Sequence, residues 1–148
     1  VMAVGSVRAA YHIPVYAAEA EKETMQDASI NLSINMGGAM LSVEADHWLK
    51  DGETITLLDQ EVRCILTPGH TVGGMCFYFP KAGMLFSGDT LFQESVGRTD
   101  FPGGSMSEIV RSIREKLFVL PDAVQVYPGH GLMTSIKNEK MFNPFAVE

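Results

Sequence analysis

Between residues 54 and 87 the apolar positions fall in short runs broken by turn residues, the pattern of β-strands rather than helices. Glu61–Leu66 predicts one strand, and Met75–Phe79 with Met84–Ser87 predicts a hairpin around Pro80–Gly83. The Asp51-Gly52 turn signal leads into a strand at Thr54–Leu58, and Val124–Tyr127 reads as the last strand. The rhythm then changes. Ile109, Ile113 and Leu117 recur every four residues, which puts one apolar stripe on a helix running from Ser105 to about Leu117. Ser105 with Glu108 three residues later predicts a capping box at its start. Gly5–Tyr11, Glu19–Met25 and Ser135–Met141 read as shorter helices, and Ile13–Ala17 as a buried strand. Two stretches lack a period: Asp27–Gly38, read as a loop or a mobile helix, and Leu91–Gly104, read as a long loop. No repeat or linker divides the chain, so residues 1–148 read as one α/β domain or part of one.

Composition narrows the classes. A hydrophobic fraction of 46% and a mean hydropathy of +0.08 describe a globular chain with a sizeable core. No apolar run approaches the roughly 20 residues that span a bilayer, and Val1–Ala10 shows no leader pattern, so no membrane partner is expected. The formal net charge is −7, from 18 acidic and 11 basic residues, and the basic residues are scattered. Nucleic acid is therefore excluded as a partner, because its binding needs clustered Lys and Arg on phosphates. Cys64 and Cys76 both sit in strand-like runs, which predicts two buried thiols rather than a disulfide and a reducing, cytoplasmic setting.

Three segments share one layout: an apolar strand, a sharp turn, then a potential metal ligand. They end at His70 in Thr67-Pro68-Gly69-His70, at Asp89 in Ser87-Gly88-Asp89, and at His130 in Tyr127-Pro128-Gly129-His130. In layered α/β folds, ligands gather outside the carboxyl ends of strands. Pro and Gly before each histidine set a tight turn that aims the imidazole away from the sheet. Two imidazoles and one carboxylate are a normal donor set for zinc, and iron and manganese accept the same donors. His12 and His47 lie outside this pattern and read as surface or cap residues, and Tyr127 reads as packing. Arg98 and Asp100, in Gly97-Arg98-Thr99-Asp100, have two readings of equal weight: Arg98 meets a substrate carboxylate or braces the loop under the metal site with Asp100 as its partner, or the pair is a loop salt bridge with no part in binding.

The order of these motifs, from Thr67-Pro68-Gly69-His70-Thr71 through Ser87-Gly88-Asp89-Thr90-Leu91-Phe92 and Gly97-Arg98-Thr99-Asp100 to Tyr127-Pro128-Gly129-His130-Gly131, resembles the glyoxalase II-like branch of the metallo-β-lactamase superfamily. The resemblance implies an αββα sandwich and a two-metal hydrolase site. It implies that the position of His70 completes metal site 1, that of Asp89 bridges both ions with a catalytic role, and that of His130 completes site 2. In that family the remaining ligands come from a His-x-His-x-Asp-His segment, and no His-x-His pair occurs in this chain. The expectation is thus a partial domain lacking its N-terminal strands. It would hold at most one zinc, by His70, Asp89 and His130, and turn over poorly. Its expected substrate is a small anionic thioester or ester. The chain stops too soon after His130 for the helical domain with which glyoxalase II grips glutathione. Sheet left open by missing strands predicts a homo-oligomer that covers it. The alternatives are a non-catalytic remnant kept for assembly, and half of an enzyme completed by another chain.

Overall fold

The structure is a computed structural model that describes residues 3–31, 33 and 40–146. The chain divides into two compact units, residues 1–50 and 51–148. The first unit holds helix α1 (Val4–Tyr11), strand β1 (Tyr16–Ala18), a 3-10 turn (Glu19–Glu21), helix α2 (Lys22–Gln26) and strand β2 (His47–Leu49). β1 and β2 pair in parallel, with Tyr16 opposite His47. The expected strand at Ile13–Ala17 starts later than its apolar pattern suggested. Pro14 has no N–H to donate to a ladder, and Ile13 lies 48% exposed. Of the stretch Asp27–Gly38, positions 32 and 34–38 lie outside the described residues.

The second unit is built on a six-stranded sheet. Its strands are β3 (Thr54–Leu57), β4 (Gln60–Leu66), β5 (Met75–Phe79), β6 (Met84–Gly88), β9 (Gln125–Pro128) and β10 (Thr134–Ser135), in the spatial order β10-β9-β6-β5-β4-β3. All neighbours are antiparallel except β6 and β9. The β3–β4 connection is a two-residue turn in which Leu58 and Asp59 both have positive φ, the twist a tight hairpin requires. Leu58 therefore leaves the strand and is solvent-exposed.

One face of the sheet is the core. Cys76, Tyr78, Leu85 and Val126 alternate inward and meet Ile109, Ile113, Leu117 and Ile136. The stripe at 109, 113 and 117 is fully buried, as its spacing predicts. Helix α3 spans only Met106–Ser112, and residues 113–117 continue it as a wider turn, with the Phe118 N–H donating to Ile113 C=O at 2.8 Å. Lys116 in that turn donates to Asp51 Oδ2 and to Leu66 C=O, both at 2.7 Å, and so anchors the end of β4. Helix α4 (Ile136–Phe142) is capped by Ser135, whose Oγ accepts from the Asn138 N–H.

The stretch read as one long loop carries structure of its own. Strands β7 (Leu91–Phe92) and β8 (Ser95–Val96) form a small hairpin, held from below by Glu139. That carboxylate is fully buried and accepts from the Glu94 N–H at 2.9 Å, Thr134 Oγ1 at 2.6 Å, and the Asn138 and Asn143 amides at 2.9 Å each. Four donors satisfy the buried charge without a cation.

Candidate metal centre

Strand direction brings the three expected ligands together. β5 is antiparallel to both β4 and β6, so β4 and β6 run the same way, and β9 runs parallel to β6. The carboxyl ends of β4, β6 and β9 thus share one edge of the sheet. His70, Asp89 and His130 follow those three ends, and all three line one cleft of about 230 Å³ with Phe92, Gly97 and Arg98.

Asp89 stands between the two imidazoles. Its Oδ1 lies 2.9 Å from His130 Nδ1, and its Oδ2 lies 3.6 Å from His70 Nε2. His70 Nδ1 is 2.7 Å from the main-chain carbonyl of Arg98. A carbonyl only accepts, so the proton of the neutral ring sits on Nδ1 and the Nε2 lone pair faces Asp89. The same logic applies to His130, whose Nδ1 faces an accepting carboxylate. His70 is mostly covered, with 19% of its side chain exposed, whereas His130 is 78% exposed. Phe101 meets the His70 ring edge-on at 5.2 Å, and Phe92 meets His130 edge-on at 6.1 Å.

The donor set fits a divalent cation on chemical grounds. The 3.6 Å between His70 Nε2 and Asp89 Oδ2 is too long for a hydrogen bond and sets a lone pair against a carboxylate oxygen. A tetrahedral ion with bonds of about 2.1 Å places two of its donors roughly 3.4 Å apart. His70 and Asp89 therefore stand near the separation that an ion between them imposes. The third donor is not yet in that arrangement. Among the described residues no three His, Cys, Asp or Glu side chains form a ready cage, and His130 spends its Nδ1 on Asp89 instead.

Glycines leave the space in which this cluster sits. A Cβ at Gly97 would collide with the Asp89 carbonyl and come within 3.3 Å of His70 Nδ1, and one at Gly129 would collide with Asp89 Oδ1. Gly69 has φ +138, and a Cβ there would strike Ile109. The expected capping box at α3 is half replaced for the same reason of closeness. Ser105 Oγ accepts from the Glu108 N–H at 3.3 Å, but the Ser105 N–H donates to Gly69 C=O at 2.8 Å. Glu108 is thereby released to pair with Arg111. The helix cap and the His70 turn are one unit.

Below the cleft runs a buried polar chain. Thr67 Oγ1 lies 2.8 Å from Thr90 Oγ1 and 3.4 Å from Cys76 Sγ, which donates to Ser87 C=O at 3.6 Å. Burial pushes the Cys76 thiol up to about 11. Burial also raises the Cys64 thiol, helped by the Glu53 charge, and both cysteines are free and buried as expected.

Arg98 is paired with Asp100. Its Nε and Nη2 both donate to the Asp100 carboxylate at 2.6 Å, and its guanidinium stacks over Phe101 at 4.5 Å. The two hydrogen bonds hold the Asp100 carboxyl down at about 2. Arg98 lines the cleft, but the atom it presents to a site residue is its main-chain carbonyl. Sequence reasoning missed that role, since a carbonyl carries no residue signal. It also missed Phe92 and Gly97 as cleft walls and Phe101 as the ring packed against His70. His12 caps α1 with positive φ and His47 stacks on Tyr16, and neither belongs to the site.

Comparison with known proteins identifies the family. A sequence model described as the metallo-beta-lactamase superfamily matches residues 1–130. The chain is 37% identical over 144 residues to the probable metallo-hydrolase YqgX of Bacillus subtilis strain 168, covering 97% of this chain and 68% of that protein. It is 41% identical over 101 residues to hydroxyacylglutathione hydrolase GloC of Haemophilus influenzae, covering 68% of this chain and 48% of GloC. The crystal structure of the BLEG-1 B3 metallo-beta-lactamase superposes with a TM-score of 0.90 at 37% identity, over 99% of this chain and 71% of that one. Together with the mixed α/β fold and the six-stranded sheet, these matches show that this chain belongs to the metallo-beta-lactamase superfamily.

Proposed function

We propose that this chain carries the ligand-bearing edge of a metal-dependent hydrolase that cleaves a small anionic thioester or ester, in the manner of glyoxalase II. The observation that carries the reading is the Asp89 carboxylate set between two imidazoles, with the His70 Nε2 lone pair turned toward it at 3.6 Å. The names of YqgX and GloC support the hydrolase class, and that of GloC supports a thioester. Zinc is the ion we assign, held by His70 Nε2, Asp89 and His130, and iron and manganese suit the same donors. Bound there, a divalent ion would supply an acidified water and polarise the substrate carbonyl. The protein's own part is positioning. Arg98 C=O fixes the ring of His70, Asp89 holds His130, Phe92 walls the cleft and Phe101 packs against the His70 ring.

Within these 148 residues the reading assigns one ion at most and slow turnover, because two or three protein donors hold zinc less tightly than a full set. The test is hydrolysis of a generic thioester with and without added zinc, beside His70→Ala and His130→Ala. Zinc-dependent turnover that disappears in both variants is the expected result. Turnover equal in all three proteins would refute the reading, as would two firmly held ions per chain by elemental analysis after dialysis.

A second reading, assembly without catalysis, draws on the exposed aromatic side of the sheet. Phe86 is 42% exposed and stacks on Tyr127 at 5.5 Å, on the opposite side from Leu85 and Val126. A second copy covering that face is its proposed partner, and a monomer by light scattering would remove it. Two buried free thiols suit a reducing, cytoplasmic setting, and among the described residues no helix is long and apolar enough to cross a membrane.

A further inference from the structure

We infer that the buried hydroxyl pair of Thr67 and Thr90, backed by Cys76, is the positioning element that holds His70 and Asp89 at metal-binding separation. This rests on the metal reading above and deepens it. His70 and Asp89 follow β4 and β6, and those strands are not neighbours, because β5 lies between them. No ladder of backbone hydrogen bonds therefore joins the two ligand-bearing strands directly. The spacing has to be relayed across a strand that contributes no ligand. Thr67, three residues before His70, and Thr90, next after Asp89, bypass that strand with one contact of 2.8 Å.

The contact is sealed and directional. Thr67, Thr90 and Cys76 are 0%, 1% and 0% exposed, so water does not compete for their bonds. One arrangement uses every proton: Thr90 Oγ1–H donates to Thr67 Oγ1, Thr67 to Cys76 Sγ, and the protonated thiol to Ser87 C=O. Ser87 is two residues before Asp89, so the chain starts and ends on the Asp89 turn and passes through Thr67, at the end of β4, and Cys76 on β5. A buried hydroxyl with a lost partner is costly, which makes the spacing stiff rather than merely allowed.

These are positioning residues, since none of them lines the cleft with the imidazoles. The test compares the whole chain with Thr67→Val, Thr90→Val, the double variant and Thr67→Ser. Zinc affinity is read by competition with a chromophoric chelator, and the melting temperature of each metal-free protein is read alongside. Loss of outer-shell support typically weakens metal binding about 10- to 100-fold, and that is the fall expected for each valine variant. The double variant should fall no further than the worse single one, because one shared bond is removed. Thr67→Ser, which keeps the hydroxyl, should bind within about threefold of the parent, by the same outer-shell reasoning. Ile113→Val, a core change away from the cleft, should lower melting without touching zinc affinity.

Valine variants that fold and bind zinc like the parent would overturn the inference, as would a serine variant that loses as much affinity as valine. Should Thr67→Val fail to fold, Thr90→Val decides the matter by the same readout. A parent chain with no zinc affinity would strike the metal reading itself and this inference with it, an outcome distinct from parent binding that the valines leave intact.

Discussion

Replacing Gly129 by alanine tests whether the cleft depends on the exact seat of the Asp89 carboxylate. Gly129 has ordinary backbone torsions, so alanine brings no conformational strain there. What it brings is volume. The new methyl carbon would come well inside 3.0 Å of Asp89 Oδ1 and within 3.3 Å of the Gly88 carbonyl, where ordinary carbon–oxygen contact begins near 3.4 Å. The carboxylate oxygen has to withdraw by several tenths of an ångström. That retreat breaks its 2.9 Å contact with His130 and shifts Oδ2 relative to His70 Nε2. Misplacement of about 1 Å at a reacting centre commonly costs 100-fold, and disturbed metal shells lose about 10- to 100-fold in affinity. We expect zinc affinity to fall by about 10-fold or more, equal to roughly 1.4 kcal/mol. Folding should suffer less, because the displaced atom is the end of a partly exposed side chain rather than backbone. Isothermal titration with zinc, paired with thermal melting of the metal-free protein, measures both. Unchanged affinity, or a loss of stability with no change in zinc binding, would refute the claim that Gly129 makes room for a metal-binding carboxylate.

Two further expectations concern groups away from the cleft. Both thiols are buried and held protonated, so a disulfide reagent should leave Cys64 and Cys76 untouched in the native state and label both as denaturant unfolds the chain; prompt labelling of either would contradict their burial. Asp51 is partly buried, which pushes its carboxyl up, but hydrogen bonds from Lys116 and from the Leu66 and Gly52 N–H groups outweigh that and hold it below 3.8. A carboxyl depressed in the folded state stabilises fully above its unfolded value and loses that contribution as pH falls through the folded one. Asp51→Asn should therefore lower the unfolding free energy measured in urea at pH 6, by less than about 1 kcal/mol for so exposed a pair. The difference should shrink steadily below pH 3.8, and a gap that stays constant down to pH 2 would contradict the assignment.

How much of this was legible in the sequence follows from what kind of atom does each job. The strand patterns at Glu61–Leu66, Met75–Phe79 and Val124–Tyr127 are side-chain periodicities, and the structure keeps all three within a residue or two. The burial of Ile109, Ile113 and Leu117 was equally plain. Leu58 misled because it is apolar while its turn demands positive φ, and an adjoining Asp59 gave the only hint. Strand β10 and the β7–β8 hairpin are two residues deep, too short for any period to show. Glu139 left a readable trace: it lies three residues after Ile136 and four before Asn143, on the buried side of α4. A carboxylate on that stripe calls for several donors.

The site itself was legible as three candidates but not as a geometry. Sequence shows that each ligand follows a strand, and says nothing of which way the strands run. Convergence needs an odd number of antiparallel steps to be avoided: β4 and β6 agree in direction only because one strand, β5, reverses between them, and β9 agrees with β6 only because a crossover through α3 returns the chain in parallel. The pair Gly88 and Pro128, opposite one another in the ladder, then sets Asp89 and His130 on adjacent strand ends. His70 lies two strands away and has no such neighbour, so its place depends on contacts outside the ladder: Thr67 beneath it, Arg98 C=O beside it and Phe101 against its ring. Of the two contacts between Asp89 and an imidazole, the tighter is accordingly the one the ladder enforces, at 2.9 Å, and the looser one, at 3.6 Å, is the one left to packing and to an ion.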